Sequence, residues 1–354
     1  VLYVAGGCIL FGFGAKAGMF PLHIWLPKAH PVAPAPASAL LSGLLTKSGV
    51  FGVLAITCNL FRYDAGWGTA ILILGAVTMV LGAVLPLFSI DLKRTLACSS
   101  VSQIGFILVG IGLMGILGHE NALAARGTLL HMLNHSLFKL VLFLCAGVVY
   151  MNTHALDLND VRGFGRKKPV LIVEAIKSTG AFGLRAVEWL FLISGGITVA
   201  YMTKLFAALF LEKHPTRQAA FDTQKRYMNP VSTTALLLAA LTLPALGLSA
   251  PVSMNAIADL GTDFFRAGTL AHAVHYLAWE NLKGGLISIG IGFALYFGVV
   301  RTVLMQRKGE VRVYVDRLPA WLDLEELLYR PLLLHWLPAV FGWIAALFGE
   351  NRVS

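Results

Sequence analysis

The sequence predicts an all-α membrane protein, a polytopic bundle of transmembrane helices of which some are discontinuous. Three observations carry that expectation. Hydrophobic residues make up 57% of the chain and charged residues 13%, against about 25% charged in soluble domains, and the mean hydropathy is +0.75. Apolar runs of spanning length recur along the whole chain. The first of them is interrupted by Lys16 and then by Pro21. A helix break at that depth frees backbone groups that must face protein or water rather than lipid.

The runs lie at 1–26, 37–61, 69–89, 94–117, 125–150, 188–211, 231–250, 284–305 and 331–349, about nine helices. Gly12, Gly14, Gly75, Gly105, Gly110, Gly195 and Gly196 fall within them and suit close helix approach in lipid. Segments 252–280 and 313–330 mix aromatic and leucine residues with charges, a pattern expected of helices lying in the interface. The expected organisation is one transmembrane domain over 1–354, with a core at 1–250 and C-terminal helices and interfacial segments at 251–354.

The net charge of +10 does not point to nucleic acid, because the basic residues sit in short loops between apolar runs. The loops with Lys28, with Lys93 and Arg94, and with Arg162, Arg166, Lys167 and Lys168 alternate with loops poor in cations, at Arg62 and at His119 to Arg126. A further basic loop, Lys213 to Arg226, demands an even number of crossings between 169 and 211, where only the span 188–211 is found. A helix near 169–171 is therefore expected to lie outside this sequence. An amino-terminal part is expected to lie outside it too, since Val1 already stands in an apolar run. Cys8, Cys58, Cys98 and Cys145 lie in apolar stretches without paired spacing. They argue against disulfides, iron–sulfur ligation or any redox centre, and no cofactor is expected.

Ionisable residues inside spans mark ion pathways by default. Lys16 lies eleven residues before Pro27, too deep to reach an interface by snorkelling. Desolvation and a neighbouring carboxylate act in opposite directions on the proton of such a lysine, so moving one or the other loads or releases it. Lys47, flanked by Thr46 and Ser48, lies near the middle of its span. His131, His135 and Lys139 follow at i, i+4 and i+8, along one helical face, a spacing suited to a proton relay. A metal site at the two histidines lacks a third ligand, so no metal is expected. Ser99, Ser100, Ser102 and Gln103 on the 94–117 helix either line a wet path or pair helices. Lys93 reads as an anchor, and Lys204, eight residues before Glu212, as a snorkelling lysine.

Four stretches then resemble one family. They are Phe13 to His30 (FGAKAGMFPLHIWLPKAH), Ala33 to Leu41 with Leu45 to Gly52, Asp91 to Gly105, and His131 to Phe143. Together they are similar, over residues 10–170, to the antiporter-like proton-pumping subunits of complex I, membrane-bound hydrogenases and Mrp-type cation/proton antiporters. The resemblance implies a fold of inverted repeats with broken helices. It implies that Lys16 is the central lysine of a first half-channel, whose partner is a glutamate several helices upstream. It also implies that Lys47 is the connecting lysine, and that His131, His135 and Lys139 form the polar axis between half-channels.

The function expected is a proton- or cation-translocating, non-redox subunit of a complex I-like NADH:quinone oxidoreductase or membrane-bound hydrogenase. It would sit in a prokaryotic cell membrane or an energy-transducing organelle membrane. The expected partners are other membrane subunits, the lipid bilayer and protons or sodium. The alternatives are a subunit of an Mrp-type sodium/proton antiporter and a structural spacer with an inactive channel. An enzyme with its own chemistry is disfavoured, because no phosphate loop, dinucleotide fingerprint or catalytic triad is found.

Overall fold

A computed structural model describes residues 1–168, 185–224, 226–265, 267–268, 279–309 and 311–349. They form two compact units, Val1–Val315 and a smaller one that begins at Asp316. Seven helices among the described residues are long and apolar enough to cross a membrane. The expected helix near 169–171 lies outside the described residues.

The first predicted span is two pieces. Helix α1 (Leu2–Ala17) stops at Gly18, whose φ of 80° is left-handed, a conformation that glycine adopts without a Cβ penalty. The chain is then irregular until α2 (Trp25–Val32), and Pro21 lies in the gap. The Trp25 indole bridges the gap by donating to the Ala15 carbonyl at 2.8 Å. Next come α3 (Ala35–Leu40), a π segment (Leu41–Leu45) and α4 (Thr46–Asn59), which together make one span.

Helices α5 (Ala65–Phe88) and α6 (Leu92–Ile116) begin at Asp64 and Asp91, whose carboxylates accept from the amides of Trp67 and Arg94, as N-caps do. They pack backbone to backbone. A Cβ at Gly75 would come within 2.7 Å of the Val109 amide, and one at Gly112 within 2.6 Å of the Gly68 carbonyl. Small residues at this seam let two helices approach closely in lipid, where hydrophobic driving force between them is absent. Helix α7 (Ala122–Thr153) follows, then α8 (Arg185–Phe206) with a π turn to Leu211, and the short α9 (Gln218–Thr223). After these come α10 (Pro230–Leu248), α11 (Ala250–Phe264), and α12 (Trp279–Leu295) with a π turn to Val300.

The loops sort the two ends of the bundle. The Leu92 amide donates to Leu156, and the amides of Gly163 and Gly165 donate to Ala208 and Leu209. This gathers the loops bearing Lys93, Arg162 to Lys168 and Lys213 at one basic end. At the other end the rings of Tyr63 and His119 lie 4.3 Å apart. There buried Arg126 binds Asp259 and Asn255 of α11, which ties this 15-residue helix to the start of α7.

The segment 313–330 is not one interfacial helix. Met305–Lys308 (β1) and Val311–Tyr314 (β2) form an antiparallel hairpin, with Gly309 at a φ of 64°. β-branched Val311 and Val313 favour the strand. The hairpin docks on the basic end through Asn159, which bonds both the amide and the carbonyl of Tyr314. The Tyr314 hydroxyl donates to Glu212 at 2.9 Å, and Glu212 pairs with Arg162 at 3.1 Å. Beyond it the smaller unit carries a 3₁₀ turn (Ala320–Leu322), π turns at Glu325–Tyr329 and Leu332–Trp336, and α13 (Leu337–Gly349).

Candidate functional site

The polar centre lies where the π segment, α6 and α7 meet. A π turn leaves carbonyls out of the regular ladder and is frequent at functional sites. Here it presents the Ser42 carbonyl, which accepts from the buried Lys47 ammonium at 2.5 Å. The Ser42 hydroxyl bonds the Ser100 hydroxyl of α6 at 2.7 Å. Ser100 in turn donates to the Leu96 carbonyl at 3.1 Å. The same carbonyl accepts from the Lys139 ammonium of α7 at 2.8 Å, and Lys139 also donates to the Ser99 hydroxyl. Lys47 and Lys139 are thus joined through the residues Ser42, Ser100 and Leu96.

Lys139 is wholly buried. Among the described residues neither it nor Lys47 has a carboxylate partner. Burying an ammonium is expensive unless dipoles replace its water. Here carbonyl and hydroxyl oxygens do so, without the strong fixed pairing of a counter-charge. The rings of His131 and His135 stack at 6.5 Å. His135 is fully buried, and among the described residues neither of its ring nitrogens has a partner.

Other candidate residues fall elsewhere. Lys16 is exposed in the last turn of α1. Only one side of α1 is packed, against α4, where Gly49 lies beneath Phe13 and Ala17. The hydroxyl of Ser48 is exposed and donates to the Leu45 carbonyl. Ser102 donates to the Met79 carbonyl at 3.0 Å, so it pairs α6 with α5. Gln103 is buried on α6. Lys93 donates to the Ala33 carbonyl at 2.9 Å and anchors the end of α2. Lys204 does not snorkel. It is buried, and its ammonium caps α5 by donating to the carbonyls of Pro86, Leu87 and Ser89, because α8 crosses the end of α5 there.

Sequence reasoning missed Ser42, which sits in an apolar run with nothing to mark the π turn. It also missed His30, a buried ring stacked 4.3 Å from Phe143, with neither nitrogen partnered among the described residues. The repeated histidines of the Phe13 to His30 stretch were the available signal.

This arrangement, a transmembrane bundle with a broken helix and buried amines linked by hydrogen bonds, is that of an antiporter-like membrane subunit. The profile described as "NADH:quinone oxidoreductase/Mrp antiporter, TM" matches residues 2–187. The chain belongs to that family and is an integral membrane protein. It is 42% identical over 167 residues, 45% of its length, to hydrogenase-4 component B of Escherichia coli. It is 34% identical over 266 residues, 65% of its length, to formate hydrogenlyase subunit 3 of the same organism. The chain spans 25% and 44% of the lengths of those two relatives. The fold is similar to a chain of the Mrp complex of Dietzia sp., with a TM-score of 0.63 and 20% identity over 74% of this chain and 59% of that one. Similarity extends to a chain of complex I from Thermus thermophilus, with a TM-score of 0.54 and 21% identity over 72% of this chain and 58% of that one.

Proposed function

We propose that the chain translocates protons, as a non-redox membrane subunit of a hydrogenase-type or complex I-like assembly. One observation carries this reading: Lys47 and Lys139, on different helices, share a hydrogen-bonded link through Ser42, Ser100 and the Leu96 carbonyl. A buried amine held only by neutral oxygens changes protonation when a charge nearby moves. A proton arriving at Lys47 electrostatically favours release from Lys139, and the reverse. His135, His131 and His30 supply imidazoles beside the pair, and water held by their unpartnered nitrogens would extend the relay.

Lys16 enters this reading as the loading residue. Its ammonium faces the bare side of α1, where a neighbouring helix with a carboxylate would desolvate and hold it. The relatives named as hydrogenase and formate hydrogenlyase components favour a hydrogenase-type assembly over an antiporter, since the likeness to the Mrp chain, at 20% identity, is one of fold.

The test is proton flux in proteoliposomes holding the purified assembly. A potassium diffusion potential set with valinomycin drives the flux, and a pH-sensitive dye reads it. Lys47→Ala and Lys139→Ala should each lower the flux while the assembly stays intact by size-exclusion chromatography. Wild-type flux in both variants would overturn the proposal.

A further inference from the structure

The break between α1 and α2 is tied to helix α5 by a hydrogen bond. The amides of Gly18 and Met19 turn back onto the Gly14 carbonyl, at 3.0 and 2.9 Å, as amides do at a left-handed helix end. The next amide does not. Phe20 donates instead to the hydroxyl of Thr78 on α5, at 3.0 Å, and Thr78 is fully buried. The one hydrogen of that hydroxyl goes to the Leu74 carbonyl of its own helix at 2.6 Å, which leaves a lone pair for the Phe20 amide. The second tie is the bond from the Trp25 indole to the Ala15 carbonyl at 2.8 Å. Lys16 therefore lies between two held points, Ala15 just before it and Phe20 four residues after it.

The far end of this connection is the Lys139 site. The Met79 carbonyl, next to Thr78, accepts from the Ser102 hydroxyl of α6 at 3.0 Å. Ser102 follows Ser99 by about 4.5 Å along the axis of α6, and Ser99 accepts from the Lys139 ammonium. The two helices leave no room to slide past each other here. A Cβ at Gly82 would collide with the Ser102 backbone, and one at Gly105 with the Met79 backbone. Close-packed backbones of this kind transmit a displacement instead of absorbing it.

We infer that Thr78 and Trp25 are positioning residues for Lys16, and that they hold the end of α1 in register with the α5–α6 pair that carries the Lys139 site. The inference rests on the proton-translocating reading above, in which Lys16 loads the relay. Apolar packing does not do this work alone. Ala17 and Met19 belong to the buried cluster that includes Val50, Ile71 and Ile104, but apolar burial is non-directional. A hydrogen bond fixes both a distance and an angle. With α1 packed on one side only, the two bonds define where its last turn, and so the Lys16 ammonium, is presented.

The same proteoliposomes test the two ties. Thr78→Val keeps the branched shape and removes the acceptor, and should lower proton flux roughly ten-fold. Thr78→Ser restores the hydroxyl and should return flux to the wild-type rate. Lys16→Ala should be slow by itself, and adding Thr78→Val to it should lower flux no further, because nothing is left to position. If Thr78→Val alters assembly, Trp25→Phe, which removes the other tie, takes its place in the same comparison. Wild-type flux in Thr78→Val and Trp25→Phe, with Lys16→Ala slow, would overturn the inference and leave the relay standing. A loss that Thr78→Ser does not recover, or one that adds fully to Lys16→Ala, would make the role structural and overturn it as well. Wild-type flux in Lys16→Ala would remove the loading role and this inference with it, while Lys47→Ala and Lys139→Ala still decide the relay.

Discussion

Lys16 and Lys139 are the same residue type in the same protein, yet their surroundings are opposite. Lys139 is enclosed by α6 and α7 and held by Leu96 and Ser99. Lys16 ends a helix packed on one side only, with its ammonium exposed. The interior lysine answers to oxygens that this chain supplies itself. The exposed one is not enclosed by any of the described residues. A broken helix alone therefore does not bury a lysine; enclosure by neighbouring helices does.

Lys139→Ala should give the largest effect of any substitution in this comparison. On the proposed relay it removes a proton-carrying group, so flux in the reconstituted assembly should fall by about 10²-fold. Breaking the link while sparing both lysines is the next step. Ser42→Ala combined with Ser100→Ala should lower flux roughly ten-fold, whereas Ser48→Ala, on an outward-facing hydroxyl, should leave it at the wild-type rate. Equal losses in the two would mean that position in the network does not matter.

Stability sharpens the contrast in another way. Lys16→Met in this chain should shift the unfolding free energy by less than about 0.5 kcal/mol, measured by denaturant titration in detergent. Lys204→Met strands three carbonyls at the end of α5 and should cost about 1–3 kcal/mol or more. The smallest effect concerns Lys168, at the basic end. Its ammonium donates to the carbonyls of Phe164 and Phe221. Burial lowers its pKa, and Asp222 partly offsets this. The charged form is therefore disfavoured in the fold. The resulting penalty is complete below the folded-state pKa and disappears as pH rises past the ordinary lysine value of about 10.4. Thermal melts of the wild type and Lys168→Met should differ in pH slope only in that alkaline window, with the wild type gaining stability as pH rises.

Composition and apolar run length were enough to place the chain in a membrane, because lipid demands long segments with every backbone group satisfied internally. The spacing of His131, His135 and Lys139 was equally legible, since neighbours on one helix are set by its period alone. Less was legible where a local signal was weak. Pro21 announced the break in the first run but not that α1 already ends at Gly18, and the hairpin at 305–314 was hidden by its position between a helix and charged residues.

Which faces of different helices meet lies beyond any single period. Ser42 joins Lys47 to α6 only because a π turn redirects its carbonyl and hydroxyl, and Ser100, not Ser48 or Ser102, receives it. Lys204 reaches the carbonyls that end α5 only because α8 crosses there. Residue order along the chain determined a bilayer-spanning bundle with cations at unusual depth. Three-dimensional packing alone decided which of those cations share oxygens, because a hydrogen bond needs partners about 3 Å apart, and helices distant in sequence acquire that proximity only on folding.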